Sequence, residues 1–143
     1  MQAFDVNVFV NAFRSDLPHH KLCNRLLREA LVSPAPFAVS ELVMSGFVRV
    51  VTSRRIFREA STPEEAFSLC AQVLTASNAR VIRPQDQHWT IFSRLCLEVG
   101  ARDKLVADVY HAALAIEHGV TWVSLDRDYA KFLTLKWHNP VAR

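Results

Sequence analysis

The stretch AFDVNVFV, residues 3–10, sets a carboxylate and an amide, Asp5 and Asn7, into an otherwise apolar run. Two readings compete. In the first it is an amphipathic edge strand, whose period-two alternation turns Phe4, Val6, Val8 and Val10 to a core and leaves Asp5 and Asn7 in water. In the second a buried strand stops at Asp5, and the carboxylate stands where chemistry begins. Nothing within the eight residues separates the two.

Outward from it, short β-like runs alternate with longer helix-like ones. AFDV is followed by a helix from about Pro18 to Leu31, and FAV at 37–39 by one from Glu41 to about Val51. After a basic connection, SRRIFREAST, Thr62 is placed as N-cap and Pro63 as first helical residue of TPEEAFSLCAQVL. RVIRP at 80–84 reads as a strand. A helix from about Asp86 to Val99 closes on Gly100, and another from about Lys104 to His118 closes on Gly119. TWVSL at 121–125 is a fourth strand, a short helix follows around Tyr129 to Leu133, and LKWH at 135–138 is a weak fifth strand. Strand and helix alternate with few hairpin signals. The pattern predicts a three-layer α/β/α domain spanning 1–143, with a central, mostly parallel sheet of four to five strands.

The bulk properties suit that picture. With 143 residues, half of them apolar, the chain has material for one sizeable core. Seventeen basic residues against 14 acidic ones permit a polyanionic partner without requiring it. Cys23, Cys70 and Cys96 lie in apolar helical contexts without C-x-x-C or metal spacing, which reads as reduced thiols of a cytoplasmic protein. The N-terminus lacks a basic leader region, and no stretch approaches the roughly 18 apolar residues of a membrane span.

Open α/β sheets take ligands at the carboxyl ends of their strands, where strand order switches. Asp5 closes strand one, Glu41 follows strand two, and Asp126 and Asp128 follow strand four, so all share one edge. Asp108 lies one turn into KLVADVYHAALAIEH, beside the stripe of Leu105, Val109, Ala112 and Ile116. Each acid also has a purely structural reading. Glu41 suits a helix's first turn, Asp128 would cap the short helix after it, and Asp126 would serve a turn. Asp5 and Asp108 are harder to dismiss, because an acid beside a core stripe usually has a partner. Carboxylates converging on one edge repel, and raised pKa values or a bound cation relieve this. No lysine or arginine in these motifs is placed to pair all of them, so a hard cation, Mg²⁺ or Mn²⁺, is expected.

Taken together, DVNVFVNAF, SELVMSGFVRVVTS, VADVYHAALAIEHG and TWVSLDRDYAKF resemble the PIN-domain ribonuclease toxins of the VapC type. The likeness runs from Asp5 to the closing KWHNP and takes in PHHKL at 18–22. It lies in motif order and spacing rather than in any single acid. The resemblance implies the toxin half of a bacterial type II toxin–antitoxin pair, a homodimer with a VapB-type antitoxin partner. It implies an endoribonuclease that hydrolyses RNA with divalent metal, leaving a 5′-phosphate and a 3′-hydroxyl. By position, Asp5, Glu41, Asp108 and Asp126 match the family's catalytic acids, and Asp5, Asp108, Asp126 and Asp128 its metal-binding set. Asn7 matches the asparagine that orders the first acid, and Ser124 stands where threonine is usual. Val6 departs from a common threonine or serine, and Asp103-Lys104 from a glycine and a small polar residue. Asp103 is read as the N-cap of the following helix, with a part in tuning the metal site left open.

Other polar features carry weaker signals. Arg14 would reach phosphate if its loop folds beside Asp5. Arg54 and Arg55, within a basic run that includes Arg49, Phe57 and Arg58, suit RNA backbone, antitoxin or solvent equally. His19 and His20 read as surface residues, while His111, His118, Trp122 and Trp137 read as packing. Phe47, Phe57, Phe67 and Leu74 are candidates for a dimer surface, with core packing the competing account. Two further functions place acids at strand ends: a catalytically silent binding module of the same fold, and an aspartate-based phosphatase or receiver-like protein. The phosphatase pattern wants a second aspartate where Asn7 stands, and the receiver a lysine after a later strand.

Overall fold

The computed structural model describes residues 1–141. Its five strands are β1 (Gln2–Phe4), β2 (Phe37–Val39), β3 (Ala79–Val81), β4 (Thr121–Val123) and β5 (Trp137–His138). They form one sheet in the order β3-β2-β1-β4-β5, and every neighbouring pair is parallel, with Ala3 opposite both Ala38 and Trp122. Between them run α1 (Val6–Phe13), α2 (His20–Val32), α3 (Glu41–Val51), α4 (Pro63–Leu74), α5 (His88–Val99), α6 (Lys104–His118) and a 3₁₀ turn at Arg127–Lys131.

The edge-strand reading of the opening stretch fails, because β1 is paired on both sides and ends as the chain reaches Asp5. The strand stops at Phe4, and the alternation expected through Val10 gives way to α1. Asp5 makes the switch. Its amide still donates to Val123 O at 2.9 Å in the sheet, while its carboxylate accepts the Val6 N–H at 2.7 Å as N-cap. Val8, Phe9 and Ala12 then fall on one helical face and are buried. Phe9 meets Phe4 edge-on at 6.0 Å, and Phe13 meets Phe47 at 5.4 Å. A cap and a core-facing stripe here override the β preference of three valines.

Other boundaries move for local reasons. The expected strand RVIRP contracts to Ala79–Val81, ahead of Pro84, which has no N–H to offer a ladder. Helix α5 begins two residues later than expected because the Glu117 carboxylate takes the N–H groups of Gln85 and Gln87 at 2.8 and 2.9 Å. The helix expected at Tyr129–Leu133 is the 3₁₀ turn two residues earlier, capped by Asp126. Thr62 caps α4 as read, within a capping box that Glu65 completes, and Gly100 and Gly119 end their helices at φ 63° and 65°.

Leaving β1, the chain moves outward through β2 to β3, then returns to the other side of β1 for β4 and β5. Right-handed crossovers therefore lay α1–α4 on one face and α5–α6 on the other. The helix contacts follow suit: α1 packs on α2 and α3, α3 on α4, and α5 on α6. The core is filled by Trp122, Tyr129, Phe9, Phe47 and Phe132. Strand order switches between β1 and β4, which opens a crevice at their carboxyl ends. Cys23 and Cys70 are buried, Cys96 is half-buried and all three are free thiols; burial pushes the Cys23 thiol up to about 11. Among the described residues no helix is long and apolar enough to cross a membrane.

Candidate functional site

Asp5 sits in that crevice, 6% exposed. Besides the Val6 N–H, it accepts the Ser124 hydroxyl at 2.7 Å and an Asn7 amide hydrogen at 3.4 Å. Ser124 Oγ in turn accepts from Asn7 Nδ2 and from the Asp126 N–H, both at 3.1 Å, and Asn7 Oδ1 accepts the Leu125 N–H at 3.2 Å. One polar frame thus pins the ends of β1 and β4 together. Burial raises the Asp5 pKa above the ordinary carboxylate range, against the pull of the Ser124 bond and of His111.

Asp108 and Asp126 face Asp5 across a cavity of about 370 Å³, whose wall also includes Asn7, Lys104 and His111. Asp108 comes from the second turn of α6 and is 8% exposed; burial lifts its pKa, opposed by the nearby Lys104. Asp126 spends Oδ1 on the Asp128 N–H, at 2.9 Å. Carboxylate oxygens of Asp108, Asp126 and Asp128 lie within 4.8 Å of one another, a spacing one cation can bridge. An all-oxygen donor set of this kind suits a hard divalent ion, and two acids with raised pKa values would gain from its charge.

Several expectations require correction. A cation pairs two of these acids, though not all of them: Lys104 Nζ donates to Asp108 Oδ2 at 3.3 Å and to Asp126 Oδ2 at 3.1 Å. Glu41 shares the sheet edge but not the cavity. It opens α3, one strand away from the switch, with an exposed side chain paired to Arg83 at 3.0 Å, and it lines a larger neighbouring cavity of about 960 Å³ between α3 and α6. Among the described residues Asp128 caps nothing; its half-exposed carboxylate meets Lys131 at 3.5 Å, and the capping side chain is Asp126. Asp103 occupies the N-cap position of α6 but its side chain makes no cap bond, and its backbone lies at φ 53°.

Arg14 lies outside the wall of the acidic cavity. It forks onto Asp16 at 3.0 and 2.8 Å, reaches Ser61 Oγ at 3.1 Å and lies 3.9 Å over the Phe57 ring, pinning the basic loop to the end of α1. Arg54 and Arg55 are exposed in the turn after α3. Of the four residues named for a dimer surface, Phe47 and Phe57 are buried and Leu74 is half-buried, whereas Phe67 is 60% exposed.

Three site residues escaped the sequence reading. Lys104 lies four residues before Asp108, a spacing that places both on one helical face. His111 lies three after Asp108. Its ring is buried, stacks on Trp122 at 5.5 Å, and leaves Nδ1 without a partner among the described residues. Burial lowers its pKa while Asp5 opposes the shift. Arg49, passed over within the basic run, borders both the acidic cavity and the larger one beside it.

Fold and site together define a doubly wound α/β domain with a carboxylate cluster at its strand-order switch. The chain belongs to the PIN domain family, whose model matches residues 3–133. It is 38% identical to VapC ribonuclease Mb2897 of Mycobacterium bovis and to Ribonuclease VapC43 of Mycobacterium tuberculosis, over 99% of this chain and 96% of each relative. Ribonuclease VapC25 of M. tuberculosis is 34% identical, over 98% of this chain and 99% of its own length. Among solved structures, M. tuberculosis VapC20, a sarcin-ricin loop cleaving toxin, superposes with a TM-score of 0.69 at 15% identity, covering 91% of this chain and 93% of its own. VapBC2 of Rickettsia felis, bound to a promoter DNA fragment, gives a TM-score of 0.67 at 17% identity, covering 96% and 97%. At those identities the superpositions speak to the fold.

Proposed function

We propose that this protein is a metal-dependent endoribonuclease, the toxin of a bacterial type II toxin–antitoxin pair, acting in the cytoplasm as a homodimer and restrained by a VapB-type antitoxin. The observation that carries the reading is the convergence of Asp5, Asp108 and Asp126 on one cavity, with Asp5 locked in place by Ser124 and Asn7. Names of relatives that span the whole chain point the same way.

In this reading Asp5, Asp108, Asp126 and Asp128 would hold Mg²⁺ or Mn²⁺. When bound, the ion supplies Lewis acidity at the phosphate and lowers the pKa of an attacking water. The chain's own residues do the rest. Ser124 and Asn7 fix the Asp5 carboxylate, so the ion meets a preset oxygen rather than a mobile one. Glu41 acts from the adjacent cavity once it leaves Arg83, a release made easy because both partners are more than half exposed. Arg54 and Arg55 offer charge to the RNA backbone outside the cavity. Asn7 has both ends of its amide committed to the Ser124 and Leu125 frame, which leaves the aspartate-phosphatase alternative without its second acid.

The test is cleavage of RNA by purified protein with Mn²⁺ and with chelator. Internal cuts bearing 5′-phosphate and 3′-hydroxyl ends, dependent on the ion and reduced more than about a hundredfold in Asp108→Asn, are expected. Undiminished cleavage in chelator, or by the variant, would overturn the assignment.

A further inference from the structure

We infer that Lys104 is a tethered competitor for the divalent cation, an ammonium that holds the acidic cavity together when it is empty and must leave when the ion enters. The inference rests on the metal-site reading above. Its first support is which oxygens are free. Asp126 Oδ1 is taken by the Asp128 N–H. That leaves Asp126 Oδ2 as the uncommitted oxygen on that residue, and Lys104 Nζ sits 3.1 Å from it and 3.3 Å from Asp108 Oδ2. A cation bridging Asp108 and Asp126 needs the place the ammonium holds.

The second support is where the lysine stands. Lys104 is the first residue of α6, where the helix dipole disfavours a positive charge and an acid would be the stabilising choice. The two acids offset that. Its side chain is 74% exposed, so it can swing into water without disturbing the core. Ion pairs made by so exposed a lysine are weak and screened, so the competition tunes metal affinity rather than blocking it. About a tenfold effect is expected from two such contacts.

The experiment is calorimetric titration of Mn²⁺ into metal-free protein, without RNA, for wild type, Lys104→Met and Lys104→Arg, with melting in chelator alongside. Lys104→Met should bind Mn²⁺ about tenfold more tightly while melting lower in chelator, because its acids have lost their counter-charge. Lys104→Arg should stay near wild type. Equal or weaker binding by Lys104→Met, or equally tightened binding by both variants, would overturn the competition. Wild type and Lys104→Met both failing to bind Mn²⁺ would overturn the metal-site reading itself.

Discussion

Replacing Asp108 by asparagine should make the metal-free protein more stable and the metal-loaded protein less so. Asp108 is nearly buried, and among the described residues its donor is the Lys104 ammonium, itself three-quarters exposed. Losing that bond costs at most about 1 kcal/mol. Against it stands the removal of a charge that is poorly solvated and repelled by Asp126 and Asp5, worth about 1 to 2 kcal/mol. The net is a gain of about 1 kcal/mol in chelator, or about 3 °C in melting temperature for a chain of this size. With Mn²⁺ at a hundred times its dissociation constant, wild type gains about 2.7 kcal/mol, whereas the variant lacks an essential oxygen and gains little. The order of melting should invert between the two conditions, which circular dichroism or calorimetry reads directly. A variant that melts below wild type in chelator, or that gains as much from Mn²⁺ as wild type does, would refute the account of these acids as a strained, cation-seeking set.

The same strain sets the pH response. Asp5 and Asp108 have native pKa values above 3.8, so above that pH the native state holds more protons than the unfolded chain, and stability falls as pH rises through the raised values. The stability of wild type minus that of Asp108→Asn, measured in chelator by urea unfolding across pH, should therefore decline with rising pH, and a difference that climbs would contradict the shift. Ser124→Ala strips a donor from Asp5 and an acceptor from Asn7 and the Asp126 N–H, and should cost about 2 kcal/mol, with threonine restoring most of it in the same unfolding assay. Arg14→Ala should lower stability by about 1 to 2 kcal/mol through loss of the Asp16, Ser61 and Phe57 contacts, and leave RNA cleavage at low temperature within about twofold of wild type. A large catalytic loss without destabilisation would return Arg14 to the substrate.

What could be read from the chain follows how local each determinant is. The Thr62 cap with Pro63 after it and the glycines after α5 and α6 are self-contained signals, and the structure honours them. Helix α1 was hidden because three valines in eight residues satisfy a period of two as easily as one of 3.6, and the deciding bond, from Asp5 to the Val6 N–H, is a choice of rotamer. The edge carrying the acids was legible from strand ends alone. Membership in the cavity was not, since Glu41 and Asp126 both follow a strand and differ in which strand lies at the order switch. Lys104 and His111 were spaced for the same helical face as Asp108, but helical spacing does not say which side of that face looks onto a cavity.

The site thus divides into a part that cannot move and a part that can. Asp5, Asn7 and Ser124 are tied to the ends of two core strands, and shifting any of them would break several hydrogen bonds at once. Lys104, Asp128 and Glu41 are at least half exposed, and each is paired to a partner it can leave cheaply. A nuclease needs that division. In the proposed nuclease the rigid acid would keep a bound ion in register with the phosphate, where a misplacement of about 1 Å can cost a hundredfold in rate. The mobile charges let the same cavity stand empty, take up a cation and pass a polyanion without its acids being forced apart. Stiffening the mobile half should therefore harm turnover more than stability, and loosening the fixed half should harm both.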